Sequence, residues 1–455
     1  MSLEKNILEK SAEILSKYSL CDYCLGRLFA QLGRGLDNNE RGYAIKIVLT
    51  LQAHLMLLSE NPPIREKGLS ILKNLAKTGF MPAIEVLKKY GYSTEPIEEC
   101  YVCKGFISRN IEKLLKKILL LIEEYEYNTF LIGARIPRDI AKREDNIKIA
   151  YGLETLSESF KSDLTRILGK RLQQITGKTV DYRKPEVIII IDLTTDTIKV
   201  TSSPIFIYGR YRKYARNIPQ NKWLCSKCWG KGCEHCSWTG KKYPTSVEEI
   251  VTEPIIKFFK AKKAKFHGAG REDVDVRMLG SGRPFVVEVI NPKRRKVDLR
   301  RLEEEINAHG EKLVEVSELK YVSRDTVRRI KVFAEYTVKT YRAIVSLSRR
   351  VIEEDVQKIE TTFKDIIVSQ WTPTRVLHRR ADKLRKKKVY RISAKKLDDT
   401  KLELIIVCQG GLYVKELISG DNGRTKPSIS EILETQAICE ELDVLDIAEP
   451  VKGFM

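Results

Sequence analysis

The sequence lacks the features that mark membrane proteins and secreted proteins. It contains no apolar run of about 18 residues, the length that a helix needs to span a bilayer. Its N-terminus, M-S-L-E-K-N-I-L-E-K, lacks the charged and then apolar layout of a secretory signal. With 42% hydrophobic and 31% charged residues, the 455-residue chain has the composition of a soluble globular protein. We therefore predict a cytoplasmic location and roughly two to four domains.

Motifs of two common enzyme classes are also missing. The chain has no G-x-x-x-x-G-K-[ST] sequence, the phosphate-binding loop of many nucleotide hydrolases. Gly268-Ala269-Gly270 follows the basic run A-K-K-A-K-F instead of an apolar strand, so it lacks the context of a dinucleotide-binding loop. The remaining hypothesis is a reaction that needs no organic cofactor, in which a carboxylate acts directly.

Acidic residues are scarce relative to basic ones. Lys and Arg number 82 against 61 Asp and Glu, which gives a formal net charge of +21. An excess of this size indicates a polyanionic partner, nucleic acid above all, although charge that serves only solubility is the alternative. The basic residues are densest at 210–216, 257–265 and 375–388, which favours a long footprint. In the first of these segments Tyr211 lies among cations, as in proteins that stack RNA bases; a solvated strand edge is the alternative.

Eight of the ten cysteines form four C-x-x-C pairs, a pattern that indicates metal binding in a cytoplasmic protein. Cys225, Cys228, Cys233 and Cys236 form a compact C-x2-C-x4-C-x2-C, which predicts a zinc knuckle. Cys21, Cys24, Cys100 and Cys103 predict a second zinc site made from distant pairs, with two unrelated pairs as the alternative. Four thiolates leave no position open for substrate, so both sites are expected to be structural.

The glycine-rich stretch 265–289 is the main candidate for chemistry. From Asp273 onward apolar and charged residues alternate, and the alternation resumes after Gly280-Ser281-Gly282. This pattern predicts a β-hairpin that turns at these glycines and carries Asp273, Asp275 and Arg277 on one face. An ordinary surface strand would show the same alternation.

Five segments resemble a known family. They are H-G-A-G-R-E-D-V-D-V-R-M-L-G with G-R-P-F-V-V-E, K-T-Y-R-A at 339–343, Q-W-T-P-T-R-V-L-H-R-R at 370–380 and Y-V-K-E-L-I-S-G-D-N-G-R-T-K-P-S at 413–428. Together with the paired N-terminal cysteines, they resemble the archaeal-type tRNA pseudouridine synthases that modify positions 54 and 55 of the T-arm. The helix and strand pattern of residues 105–218 resembles a THUMP domain, an RNA-binding module.

The resemblance implies an α+β protein with an N-terminal helical, zinc-binding and THUMP-like α/β module. A pseudouridine-synthase-type catalytic domain follows, built on a mixed, mainly antiparallel sheet. We place the helical zinc-binding region in 1–104, the THUMP-like domain in 105–220, the zinc knuckle and linker in 221–245, and the catalytic domain in 246–455. Ser246, with Glu249 three residues later, marks the start of the catalytic domain as a helix cap.

The resemblance also implies roles for individual residues. The family's G-R-x-D pattern falls on residues 270–273, so Asp273 is the expected nucleophile toward a flipped-out uridine, with Asp275 as its rival. Lys415 is the expected basic partner that keeps this carboxylate ionised, and Tyr341 is expected to stack on the uracil. The residues expected to bind RNA are Arg271, Arg277, Tyr211, Arg375, Arg379 and Arg380.

The expected partner is tRNA, with no membrane and no protein partner required. The contrasting hypothesis is a tRNA-binding or chaperone protein that retains the fold without turnover. The intact set of Asp273, Tyr341 and Lys415 favours an enzyme, because a binding module has no need of it.

Overall fold

The structure, a computed structural model, describes residues 6–334 and 336–448, apart from the side chains of Phe333 and Arg379. The chain divides into two compact units, the first ending at Ser203 and the second beginning at Pro204. Each unit has its own hydrophobic core. Among the described residues, no helix combines the length and the apolar character needed to cross a bilayer.

The first unit is mostly helical. Its helices are α1 (Ile7–Lys17), α2 (Asp22–Arg27), α3 (Asn38–Leu57), α4 (Pro62–Lys77), α5 (Met81–Lys89), α6 (Phe106–Ile122), α7 (Arg138–Ala150) and α8 (Phe160–Thr176). Local sequence fixes several ends: α1 begins where Asn6 caps the backbone N–H of Glu9, and α8 ends at Gly177 in the left-handed conformation.

Four strands complete the first unit. They are β1 (Thr129–Arg135), β2 (Thr179–Val180), β3 (Val187–Asp192) and β4 (Thr197–Ser202). The sheet order is β2-β1-β3-β4, in which β1 runs parallel to β2 and β3 while β3 and β4 are antiparallel. Helix α8 packs on β1, so the sheet has a helical layer against it.

The second unit is built around a large sheet. Its strands are β5 (Ile205–Lys213), β6 (Lys263–Gly268), β7 (Arg277–Ile290), β8 (Val314–Val322), β9 (Val338–Leu347), β10 (Ile366–Gln370), β11 (Arg385–Lys396), β12 (Lys401–Gln409), β13 (Thr425–Lys426) and β14 (Ala437–Ala448). Its helices are α9 (Val247–Phe258), α10 (Leu299–His309), α11 (Asp325–Phe333), α12 (Glu353–Thr362), α13 (Val414–Ser419) and α14 (Ile429–Ile432).

These ten strands form one sheet in the order β13-β10-β11-β12-β9-β14-β7-β5-β8, with β6 pairing with β7. In the described part of the sheet β7 and β14 run parallel, and the other strand pairs are antiparallel. The prediction of an α+β fold with a mixed, mainly antiparallel sheet is confirmed. The predicted cap is also present, because the Ser246 hydroxyl accepts a hydrogen bond from the backbone N–H of Glu249 at the start of α9.

One boundary differs from the expected division. The sequence groups residues 205–220 with the THUMP-like region, whereas β5 belongs to the sheet of the second unit. The reason is that β5 pairs with β7 and β8, strands that lie far along the chain. Local pattern does not reveal such partners, and the finer division of each unit stays a prediction.

Candidate active site

Glu272, Asp273 and Asp275 of the glycine-rich stretch lie in a loop between two strands, not on a strand. Strands β6 and β7 pair antiparallel, with Gly268 opposite Phe285, and residues 269–276 connect them. The predicted turn at Gly280-Ser281-Gly282 is wrong, because β7 continues through these residues. Gly280 and Gly282 have φ angles of +57° and +76°, which let β7 bulge against β5 without reversing. The candidate chemistry therefore sits at the end of β6.

A buried ion pair lies beneath this loop. Glu272 of the loop accepts a hydrogen bond of 2.8 Å from Arg283 Nε of β7, and both side chains are buried. The Tyr211 hydroxyl of β5 lies 2.8 and 2.9 Å from the two Glu272 carboxylate oxygens. Burial lowers the pKa of Arg283, but the charge of Glu272 and its hydrogen bond, together with the nearby Tyr211 and Tyr341 hydroxyls, outweigh this effect and raise the pKa. The pair ties the loop to two strands of the sheet.

Buried donors hold the loop backbone as well. Gln220 Nε2 donates to the carbonyl oxygen of Gly270 at 2.9 Å. Lys213 Nζ donates to the carbonyl oxygens of Asp273 and Val274 at 3.3 and 3.1 Å. Both flanks of the loop are thus fixed to interior side chains, which leaves the Asp273 side chain to face the adjoining cavity.

Tyr211 occupies a different place from the one predicted. Its side chain is 0% exposed, and burial together with the charge of Glu272 raises its pKa. A ring with no exposed face has no surface on which a base could stack. The predicted contact between Tyr211 and RNA is therefore corrected: the tyrosine supports the loop from inside the protein.

The loop forms one wall of a cavity of about 650 Å³, a volume in the range of small-ligand sites. Ten of its lining side chains are Lys or Arg, and two are acidic, Glu272 and Asp273. Arg375 contacts Asp273, with its Nη2 at 3.0 Å from the carboxylate oxygen Oδ2. Its Nε contacts Glu416 at 2.7 Å, and these two carboxylates raise the pKa of Arg375 against the effect of burial. Arg375 is thus the cation that contacts Asp273.

Lys415 contacts the rival carboxylate. Its Nζ donates to Asp275 Oδ2 at 2.6 Å, so the structure pairs Lys415 with Asp275, while the predicted partner of Lys415 was Asp273. Burial would raise the pKa of Asp275, but the hydrogen bond and charge of Lys415 hold it below its ordinary value. Lys415 itself lines the cavity beside Asp273.

Strand β9 contributes two further side chains to the cavity. Tyr341 is 9% exposed, and burial raises its pKa, so its phenol keeps the proton at neutral pH. Lys339 lies two residues earlier on the same face and is 6% exposed. Burial and the nearby charge of Arg283 lower the pKa of Lys339 to about 7. Sequence reasoning missed Lys339, although the alternation of a strand places it beside Tyr341.

Of the other predicted RNA contacts, Arg271 and Arg380 line this cavity. The Arg271 guanidinium lies 5.9 Å from the centre of the Trp223 ring. Arg380 lines the cavity, and its Nη1 donates to the Tyr413 hydroxyl at 2.9 Å. Arg277 instead makes a two-bond contact with Asp443, at 2.8 and 2.7 Å, which occupies its guanidinium. Arg379 ends the 3-10 helix Thr374–Arg379, and its side chain lies outside the described part of the chain.

Both predicted cysteine sets come together. The ligand atoms of each set lie within 4.8 Å of one another; the sets are Cys21, Cys24, Cys100 and Cys103 in the first unit, and Cys225, Cys228, Cys233 and Cys236 in the second. Sulfur distances of 3.6 Å in the first set and 3.7 to 3.9 Å in the second suit a tetrahedral thiolate site, in which sulfurs lie about 3.8 Å apart. Each set could hold a metal ion.

Comparisons with known proteins agree on one family. The model described as "Pus10, C-terminal" matches residues 206–448, and "Pus10 THUMP domain, archaeal" matches residues 114–192. The protein named tRNA pseudouridine synthase Pus10 of Thermofilum pendens is 43% identical, over 96% of this chain and 94% of its own length. The protein of the same name from Methanocaldococcus jannaschii is 46% identical, over 96% and 93%.

Similarity to solved structures is low. A chain of a Cbf5-Nop10-Gar1 complex has 20% identity and a TM-score of 0.28, covering 44% of this chain and 45% of its own length. A structure titled pseudouridylate synthase has 13% identity and a TM-score of 0.19, covering 63% and 83%.

The lowered pKa of Lys339 predicts a pH-dependent stability. An unfolded lysine has a pKa of about 10.4, so above pH 7 the folded state binds fewer protons than the unfolded state. The penalty for burying Lys339 is thus complete below pH 7 and disappears as the pH approaches 10. We expect Lys339→Met to raise the free energy of unfolding by roughly 1–4 kcal/mol at about pH 6 and little at about pH 10.

Urea unfolding at about pH 6, 8 and 10 measures this difference, with the exposed Lys358→Met as the control. An effect of Lys339→Met that is equal at all three pH values would contradict the assigned pKa.

Proposed function

Since the chain belongs to the Pus10 family, we propose that it isomerises uridine to pseudouridine in tRNA. The expected targets are positions 54 and 55 of the T-arm. The observation that carries this proposal is the position of Asp273, which is held by a buried network on the wall of a strongly basic cavity. The region that matches the THUMP model, residues 114–192, is proposed to contribute to tRNA binding.

The cavity suits a nucleotide that has left its stack. The reacting atoms of a stacked uridine are inaccessible, so the base must be flipped out at a cost of a few kcal/mol. A volume of about 650 Å³ accommodates a nucleotide, and the basic lining attracts its phosphates. Arg271 and Arg380 are proposed to hold the RNA backbone at the cavity, which positions the substrate without reading its sequence.

Asp273 is the proposed nucleophile. Its carboxylate bonds to the ribose carbon C1′ as the bond between that carbon and uracil N1 breaks. The base then rotates, and its C5 bonds to C1′ as the carboxylate leaves. C5 finally loses its proton, and N1 gains one. The contact from Arg375 orients the carboxylate for this attack. Lys415 lines the same wall, where its ion pair with Asp275 holds its ammonium group in place.

Tyr341 is proposed to stack on the uracil. Its ring belongs to the cavity lining and to the hydrophobic core at once, so its position is fixed by packing. Because its phenol stays protonated at neutral pH, it provides a face for the base and a hydrogen-bond donor. Because the Tyr341 ring is fixed, the detached base can rotate only on the side of the ring that faces the cavity.

Asp273→Asn tests the proposed nucleophile. The change keeps the size of the side chain and removes its negative charge, so we expect pseudouridine formation in an unmodified tRNA transcript to fall by at least about 1000-fold. Binding of the same transcript should stay within a few-fold of wild type. Asp275→Asn is the matched control, and we expect it to retain measurable activity. An active Asp273→Asn protein beside an inactive Asp275→Asn protein would reverse the assignment.

We also propose that both cysteine sets bind zinc. Four thiolates with the observed spacing match tetrahedral zinc, which would cross-link each surrounding segment and take no part in the reaction. We expect elemental analysis to find about two zinc ions per chain. Replacing Cys225 and Cys228 with alanine should leave about one. A single zinc in wild type, or two in the double variant, would contradict the proposal.

A further inference from the structure

The compact cysteine set carries two tryptophans that pack against little of the protein. Within residues 221–245, here called the knuckle, Trp229 is 76% exposed and Trp238 is 73% exposed. Large aromatic side chains in soluble proteins are usually well buried, because exposure forgoes the benefit of removing the ring from water. The exposure of two such rings on one small knuckle therefore indicates a surface that is covered by a partner.

The backbone beneath both rings strengthens this indication. Trp229 and Trp238 have φ angles of +53° and +61°, in the left-handed region that bulky residues rarely adopt. Glycine would fit these positions without strain, and Gly230 and Gly232 do take positive φ nearby. The knuckle thus holds tryptophan at two unfavourable positions without gaining internal packing from it.

The charge of the knuckle selects the class of partner. It carries Lys222, Lys227, Lys231, Lys241 and Lys242 but a single acidic residue, Glu234. Lys222 and Lys241 contact Glu249 of α9, at 3.5 and 3.0 Å. Lys242 Nζ lies 5.3 and 5.8 Å from the centres of the Trp223 and Tyr243 rings. Protein interfaces are depleted of lysine, whereas aromatic rings interleaved with cations are typical of surfaces that bind unpaired nucleotides.

The knuckle reaches the candidate active site through another of its aromatic residues, Trp223. Lys242 Nζ lies 5.3 Å from the centre of the Trp223 ring, which packs edge-on against Tyr243 at 5.6 Å. On the same ring lies Arg271, which belongs to the loop of Asp273 and precedes it by two residues. RNA bound at the cavity therefore has an adjoining aromatic and basic surface along which to continue.

We propose that Trp229 and Trp238 form a binding surface for unpaired bases of the RNA substrate, stacking on bases while the knuckle lysines contact phosphates. The ligand must be a loop or a single-stranded end, because a duplex exposes no base faces along its length. This inference rests on the proposed function for the identity of the RNA, but binding at the knuckle requires no turnover. A protein surface or a second copy of this chain is the competing occupant.

The test compares paired substitutions at positions 229 and 238 in the full chain. Loss of stacking weakens binding by about 5-fold or more per base, so Trp229→Ala with Trp238→Ala should raise the dissociation constant for an unmodified tRNA transcript by at least about 25-fold. Replacing both with leucine, which keeps apolar area, should weaken binding similarly. Replacing both with phenylalanine, which keeps an aromatic face, should restore most of the affinity. Zinc content identical to wild type shows that the knuckle remains folded.

Further measurements separate the inference from its competitors. Binding of a blunt RNA duplex should be unaffected by all of these changes. The single-turnover rate of pseudouridine formation at saturating tRNA should stay within about two-fold of wild type, since the cavity is untouched. If the wild-type protein forms no pseudouridine but the alanine variant still loses tRNA affinity, the proposed RNA-binding surface is supported and the proposed function is overturned.

Three results would overturn the proposed RNA-binding surface. They are unchanged tRNA affinity in the alanine variant, wild-type tRNA affinity in the leucine variant, or an alanine variant whose oligomeric state changes by light scattering while its tRNA affinity does not.

Discussion

The second unit depends on a buried ion pair between Glu272 and Arg283. Removing two charges from water costs several kcal/mol for each ion, and the cost is offset only where geometry and further hydrogen bonds are good. Here Tyr211 hydrogen-bonds to the carboxylate, and Arg283 also donates to the Ala269 carbonyl at 3.0 Å. Loss of Glu272 would leave the buried charge of Arg283 uncompensated. The loop therefore has one well-defined position, and the location of the Asp273 side chain follows from it.

Around this fixed loop, charge and burial divide the cavity by role. Basic side chains dominate the lining and suit the phosphates of an RNA, while Tyr341 presents an apolar face from the core. Asp273 and Asp275 each contact a different cation, so the two neighbouring carboxylates are not equivalent. A nucleophile needs a carboxylate on the cavity wall with one face open to substrate, and Asp273 meets this requirement. The knuckle extends the same combination of aromatic rings and cations beyond the cavity.

Those features that depend on neighbours in sequence were predictable, and those that depend on distant partners were not. The C-x-x-C spacing predicted both cysteine sets, because two such pairs can supply the four thiolates of a tetrahedral metal site. Alternation predicted a hairpin at Gly280, yet the strand bulges there because β5 and β14 lie alongside it. The basic segment around Tyr211 was predicted to bind RNA, with a solvated strand edge as the alternative. In the structure β5 lies between β7 and β8, and the polar groups of Tyr211 and Lys213 find buried partners. The pairing of Lys415 with Asp275 likewise depends on α13, which lies 140 residues away along the chain.

The most direct test of this account is the effect of Glu272→Gln on the rate of pseudouridine formation under single-turnover conditions. The substitution keeps the shape of the side chain, leaves Asp273 intact and removes the charge that compensates Arg283. We expect the rate to fall by at least about 100-fold and the free energy of unfolding to fall by roughly 3–5 kcal/mol. Glu288 lies on β7, the strand that also carries Arg283, and Glu288→Gln alters its partly exposed ion pair with Lys265. This substitution should change neither the rate nor the free energy of unfolding by much. A Glu272→Gln protein that forms pseudouridine at the wild-type rate would contradict the claim that the buried pair positions Asp273, the proposed nucleophile.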